Sequence, residues 1–132
     1  MKGSHAIARL PVTGLDLASV EWIDVNALYG DVGFTTAPGE MVAVVSEDPA
    51  TGASTVLIKL PPGWKSQGPE RHTCLQEELL LEGDLSLEGR ELAPFSYLCF
   101  PAGHVHGPLS TRNGCIVLAW HDGPVDVEYL GG

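Results

Sequence analysis

The sequence predicts an all-β fold, a sandwich or barrel of antiparallel strands, on three observations. The 132 residues include 16 glycines and 10 prolines, which punctuate the chain every few residues and suit turns better than long helices. The apolar residues gather into short runs, each bounded by Gly, Pro, Asp or Asn. Those runs recur at spacings of roughly 8–12 residues, as strands joined by tight turns do. The length suits one domain with a substantial core, and no repeat, linker or low-complexity segment divides it.

The elements follow in order. LASVEWIDV (17–25) reads as a strand carrying Trp22, and NALYGDVGFTTAPGE (26–40) as an irregular, glycine-rich connection. Residues 1–40 are thus expected to pack as an N-terminal strand and irregular segment on the regular unit formed by 41–132. MVAVVSE (41–47) and STVLIKL (54–60) flank DPATGA (48–53), whose Pro and Gly fall at turn positions, giving a hairpin. PPGW (61–64) stops the second strand because proline has no amide hydrogen to donate to a sheet. EELLLEG (77–83), DLSLEG (84–89), SYLCF (96–100), CIVLAW (115–120) and VDVEYL (125–130) complete the set. The stretch TCLQEELLLEG has a helical rival, with Leu75 and Leu79 four apart and Gly83 as a C-cap. Yet Leu79, Leu80 and Leu81 wrap more than one helical face, the segment is short, and another strand follows at once, so the strand reading prevails.

Composition removes several function classes. Seven basic against 17 acidic residues give a net charge of −10, which repels nucleic-acid phosphates and anionic membranes. Cys74, Cys99 and Cys115 form no CxxC pair and suggest neither a disulfide framework nor a zinc ribbon, which fits a reducing compartment. No apolar run reaches signal-peptide or membrane-span length, so a soluble cytoplasmic protein is expected. Dinucleotide, phosphate-loop, hydrolase-elbow and HExxH signatures are missing. His5, in the terminal MKGSH, is set aside from the chemistry.

Chemistry concentrates in GPERHTCLQEELLLEG (68–83) and FPAGHVHGP (100–108). Residues two and four apart on a strand share a face, so Glu70, His72 and Gln76 project together. His104 and His106 again share parity, delivered by a turn at Pro101 and Gly103. Here the chain resembles the cupins. Their first motif runs glycine, spacer, His-x-His, three or four residues, Glu, six residues, Gly; their second runs Gly, five residues, Pro-x-Gly, two residues, His. Counting back from Gly83 places Gln76 at the family's glutamate, His72 at its second histidine and Glu70 at its first. PAGHVH fits the second motif with His106 as the ligand, while Phe95 stands where that motif opens on glycine. From about residue 40 onward the chain is similar to the anti-sigma-factor type of small single-domain cupin.

The resemblance implies an antiparallel β-barrel or jelly roll, with one divalent metal near its middle, commonly in a homodimer. Trp22 and Ile23 could pair across such a dimer. The implied ligands are Glu70, His72 and His106, with Gln76 as a weaker amide donor; one carboxylate has in effect moved from position 76 to position 70. Two imidazoles and a carboxylate with open positions favour Fe(II), and also suit Zn, Mn, Ni or Co. Each residue has a plainer reading: Glu70 an exposed loop acid, Gln76 a hydrogen-bond partner of a bound water or of Glu70, Cys74 a small buried apolar group. His104 is a pocket candidate, as fifth ligand or acid/base group, or a surface histidine. Trp64, Tyr97 and Trp120 are expected in the core or pocket wall. Three functions follow: an oxygenase on a small chelating substrate, a metal-binding or sensing module without turnover, or a metal-free barrel that binds a small ligand through Glu70, Gln76 and His104.

Overall fold

The computed structural model describes residues 9–30 and 36–131, so His5 and positions 31–35 of the expected connection lie outside the described residues. The fold is an antiparallel β jelly roll. Its strands are β1 (Ile23–Asp24), β2 (Met41–Glu47), β3 (Ser54–Leu60), β4 (Glu70–Arg71), β5 (Gln76–Gly83), β6 (Leu85–Leu87), β7 (Arg90–Leu92), β8 (Tyr97–Phe100), β9 (Leu109–Ser110), β10 (Cys115–His121) and β11 (Glu128–Tyr129). Six form one sheet in the order β1-β2-β3-β10-β5-β8, faced by β11-β4 and β7-β6-β9.

Alternation decides which face is inner. Along β10, Cys115, Val117, Ala119 and His121 are buried, and along β5 so are Gln76, Glu78 and Leu80, while the residues between are half-buried. Directly opposite residues share a face, so Ser54, His121, Gln76 and Phe100 form one inner row across β3, β10, β5 and β8. Below it Val56, Ala119 and Glu78 form the next. One core cluster, around Leu60, Trp64, Leu80, Leu85, Cys115 and Val117, closes one part of the interior. A second, around Val25, Val42, Val56 and Ala119, closes another. No helix among the described residues is long and apolar enough to cross a membrane.

Several local expectations change. The strand expected over 17–25 is a 3₁₀ turn at Leu17–Ser19 followed by the two residues of β1. The irregular connection begins as a helix, α1 (Val25–Tyr29), because the Asp24 carboxylate accepts from the amides of Asn26 (2.9 Å) and Ala27 (3.1 Å). Ile23 pairs with Val42 of its own chain, extending the sheet in cis. The N-terminal segment covers the outer face: Leu17, Ala18 and Trp22 flank the groove that holds Leu57, and Leu57 is buried although it points away from the interior. The strand expected over 125–130 shortens to Glu128–Tyr129. Tyr97 is exposed, not core or pocket wall, because its parity on β8 is opposite to that of Phe100. Trp120 is likewise half-buried on the outer face of β10.

Candidate metal centre

Backbone pairing builds the centre. The amide of Glu70 donates to the carbonyl of His106 (2.7 Å), and the amide of His106 donates back to Glu70 (2.8 Å). This reciprocal bridge sets the first and last candidate ligands side by side although 36 positions separate them in the chain. Two residues on, the carbonyl of His72 accepts from the amide of Gly103 (2.8 Å), which ties the PAG turn to the same strand. Glu70, His72, Gln76 and His106 are all buried, and all four line one internal cavity of about 80 Å³, room for a few water molecules or a small ligand.

One ligand atom from each of Glu70, His72 and His106 lies within 4.8 Å of the others. Glu70 Oε2 is 3.3 Å from His72 Nε2 and 3.9 Å from His106 Nε2. The far side of each ring is fixed by a backbone carbonyl. His72 Nδ1–H donates to Asp126 O at 2.6 Å, and His106 Nδ1–H donates to His104 O at 3.2 Å. Each imidazole is thereby held with its Nε2 lone pair turned inward, as a metal-ligating histidine requires. His106 is further fixed by stacking on Phe100, with centroids 3.7 Å apart and planes 2° from parallel. Asp126 doubles its hold by accepting from Thr73 N (2.9 Å) and Thr73 Oγ1 (2.7 Å).

His72 Nε2 is buried and makes no well-aligned hydrogen bond, its polar neighbours being Glu70 Oε2 at 3.3 Å and the side chain of Gln76, a setting that a ligated ion would satisfy. Electrostatics agrees. Burial, aided by the neighbouring Glu78 and Glu40, pushes Glu70 up to about 8. Burial drives His106 down to about 4 and lowers His72 as well. Neutral imidazoles beside a carboxylate that cannot easily ionise alone are what a divalent cation would stabilise. The donor set therefore fits such an ion.

Gln76 lies between two histidines. Its amide nitrogen donates to His121 Nε2 at 3.1 Å, and it also contacts the His72 side of the cavity. His121 is a site residue that sequence reasoning missed, because the expected strand ended at residue 120, one position short. Its parity with Val117 and Ala119 was the available signal. It is buried, lines the cavity, is driven down to about 4 by burial, and leaves Nδ1 without a partner. Glu40 and Glu78 were missed too, although Glu78 shares the face of Gln76. Burial raises each to about 7. His104, expected as a pocket candidate, is exposed and does not line the cavity; it contributes its carbonyl to His106. Cys74 is buried and lies outside the ligand cluster.

The sequence profile of the ChrR Cupin-like domain matches residues 15–126. A search of curated proteins finds no match. Among solved structures, an acetylacetone dioxygenase from Acinetobacter johnsonii superposes with a TM-score of 0.70 at 14% identity, covering 99% of this chain and 83% of that one. The polyketide cyclase RemF from Streptomyces resistomycificus gives 0.66 at 16% identity, covering 92% and 87%. The anti-sigma factor ChrR of Rhodobacter sphaeroides, solved in complex with SigE, gives 0.57 at 24% identity, covering 81% of this chain and 52% of that one. At these identities the likenesses establish a shared fold.

Proposed function

We propose a function from the premise that this chain belongs to the ChrR Cupin-like domain family: it is a metal-dependent oxygenase acting on a small organic molecule that chelates the ion. The observation that carries the reading is the buried set of Glu70, His72 and His106, whose ligand atoms lie within 4.8 Å of one another. When bound, a divalent ion, Fe(II) by the donor set and Zn, Mn, Ni or Co by the same donors, would supply Lewis acidity and open positions for a substrate's oxygens and for dioxygen.

The chain's own residues do the rest. Glu70, His72 and His106 hold the ion, and Gln76, its nitrogen engaged by His121, offers its oxygen as a weaker donor. Asp126 and the carbonyl of His104 orient the two imidazoles. Val42, Val56, Ile58, Leu60, Val117 and Val125 give the cavity a mostly apolar wall that excludes water and holds a small substrate against the centre. The solved dioxygenase that shares the fold supports this class of reaction.

Metal analysis of the purified protein tests the reading. Wild type incubated with Fe(II), Zn(II) or Mn(II) is expected to hold about one ion per chain, and Glu70→Ala and His106→Ala to lose it by about 10-fold or more in affinity. A wild type that holds no metal under any of these conditions overturns the proposal. Oxygen uptake with a panel of β-diketones, catechols and hydroxyketones then follows. Metal without uptake favours a second reading, a binding or sensing module, which the family match and the ChrR–SigE neighbour support.

A further inference from the structure

Glu70, His72 and His106 are 8%, 6% and 1% exposed, so an ion or a substrate reaches them only where the wall of the cavity moves. Much of that wall is the main sheet, in which β10 pairs along its whole length with β3 on one side and β5 on the other. The segment that follows β10 is attached differently. From residue 122 to 130 it runs along residues 69–75, the stretch that carries Glu70 and His72. Leu75 N donates to Asp122 Oδ1 at 2.8 Å, and Thr73 N and Oγ1 donate to the Asp126 carboxylate at 2.9 and 2.7 Å. Arg71 Nε donates to Glu128 Oε1 at 2.7 Å, and Leu130 N donates to Pro69 O at 2.8 Å. Glu128 and Tyr129 are the one stretch of regular strand in it. Between these holds Val125, Val127 and Tyr129 take every second position and line the cavity.

This strap is the part of the wall that moves at least cost. The Arg71 and Glu128 side chains are 44% and 58% exposed, and an ion pair so placed contributes little. The segment around α1, which borders the cavity too, is clamped through buried Thr36. Its amide donates to Asn26 Oδ1 at 2.7 Å and its carbonyl accepts from Asn26 Nδ2 at 3.1 Å. A segment held by few and exposed bonds opens locally while the rest of the fold stays intact. The strap also supplies Asp126 O, the acceptor of His72 Nδ1–H, so lifting it frees that imidazole. We propose that residues 122–130 are the gate of the cavity: the strap unzips from 69–75 to admit the ion and its ligand, and its closing locks His72 in the ligating orientation. The inference deepens the oxygenase reading by naming what controls access to the site, and it rests on that reading only for what passes the gate.

Cys74 reports the gate without any metal. It is buried among strap residues: Asp126 and Asp122 are its charged neighbours, and Gly123 packs against its Cβ. Cys115, equally buried but in the core on β10, is the control. The native full chain is labelled with iodoacetamide, and the rate at each cysteine is followed by mass spectrometry. Asp126→Ala is expected to speed labelling of Cys74 about tenfold, and Glu128→Gln about twofold to fivefold, with Cys115 changed by less than about twofold. Arg71 and Glu128 pair directly, so Arg71→Cys with Glu128→Cys can be oxidised to a disulfide that staples the strap shut. The staple is expected to slow both Cys74 labelling and the release of bound Zn(II) to EDTA at least about tenfold, and reduction to restore the release. Zn(II) loading of wild type is expected to slow Cys74 labelling about fivefold or more, because the ion holds His72 against the closed strap. Cys74 labelling unmoved by either Asp126→Ala or the staple, or rising in step with Cys115, overturns the inference. So does Zn(II) release that ignores the staple, and equal labelling of loaded and metal-free protein overturns the link to His72. Should the staple not form or Asp126→Ala not fold, the other decides alone. Zn(II) uptake with Cys74 indifferent to the strap sinks the gate and spares the oxygenase reading. A wild type that takes up no Zn(II), Fe(II) or Mn(II) sinks that reading, and the Cys74 rates then decide the gate.

Discussion

Phe95 holds a backbone φ of +73° with its ring 81% exposed. The cupin motif places glycine at this position, and the conformation gives the reason: a Cβ at positive φ costs about 1–2 kcal/mol, which an exposed ring does little to offset. The amide of Phe95 donates to Leu80 O at 2.7 Å, so the turn is anchored whatever the side chain. Phe95→Gly is therefore expected to stabilise the fold by up to about 1 kcal/mol after glycine's added chain entropy, read as a higher urea midpoint at unchanged slope. A fall in the midpoint would reveal packing by the ring. The exchange of carboxylate between positions 70 and 76 is a second residue-scale point. Both side chains face the cavity, so a carboxylate at either position reaches the same space. Sequence parity expected Glu70, His72 and Gln76 to share one strand face, whereas Glu70 stands on β4 and Gln76 on β5, strands of different sheets that turn toward the same cavity. His104 illustrates the limit, because at a turn parity no longer fixes direction.

At the scale of elements, Gly83 closes β5 where it meets β10 beyond a register shift between Ile116 and Val117. Its φ is +86°, and a Cβ there would lie 2.0 Å from the carbonyl oxygen of Gly114, a backbone atom that cannot step aside cheaply. Gly83→Ala is expected to cost about 3 kcal/mol or more, measured by denaturant unfolding, through strain and steric overlap together. A loss below about 1 kcal/mol would mean that the β5–β10 corner can open. The long strands were legible because seven or eight residues carry a period: β2 and β3 fall where the sequence placed them, and β5 and β10 within a residue, while the shorter β6 and β8 were marked by the turn residues that bound them. The two-residue strands β1, β4, β9 and β11 and the three-residue β7 carry none, and exist because a neighbouring backbone offers them partners. The β4 strand matters most, since its bridge to His106 assembles the site.

For the whole molecule, the buried charges make stability depend on pH. Glu40 and Glu78 rise from 4.5 to about 7 through burial first. A carboxyl raised in the folded state contributes stability that is fully present below pH 4.5 and is lost as pH rises through about 7. Wild type is therefore expected to weaken over that window by up to about 1.4 kcal/mol per pH unit for each such group, and the Glu40→Gln/Glu78→Gln double variant to show a flatter profile. Equal slopes in the two proteins would remove this account. Saturating divalent metal at about a hundred times Kd should add about 2.7 kcal/mol to wild type and nothing to His106→Ala, read by thermal unfolding. By itself the sequence determined the all-β class, the strand-by-strand alternation and the spacing that marks Glu70, His72, Gln76 and His106, because these are local periodicities. Only the tertiary structure decided that His121, Glu40 and Glu78 share the cavity with them and that His104 does not. Those residues are brought together by pairings between distant strands, and burial, which sets their charge, is a property of the enclosed space that no short stretch of chain contains.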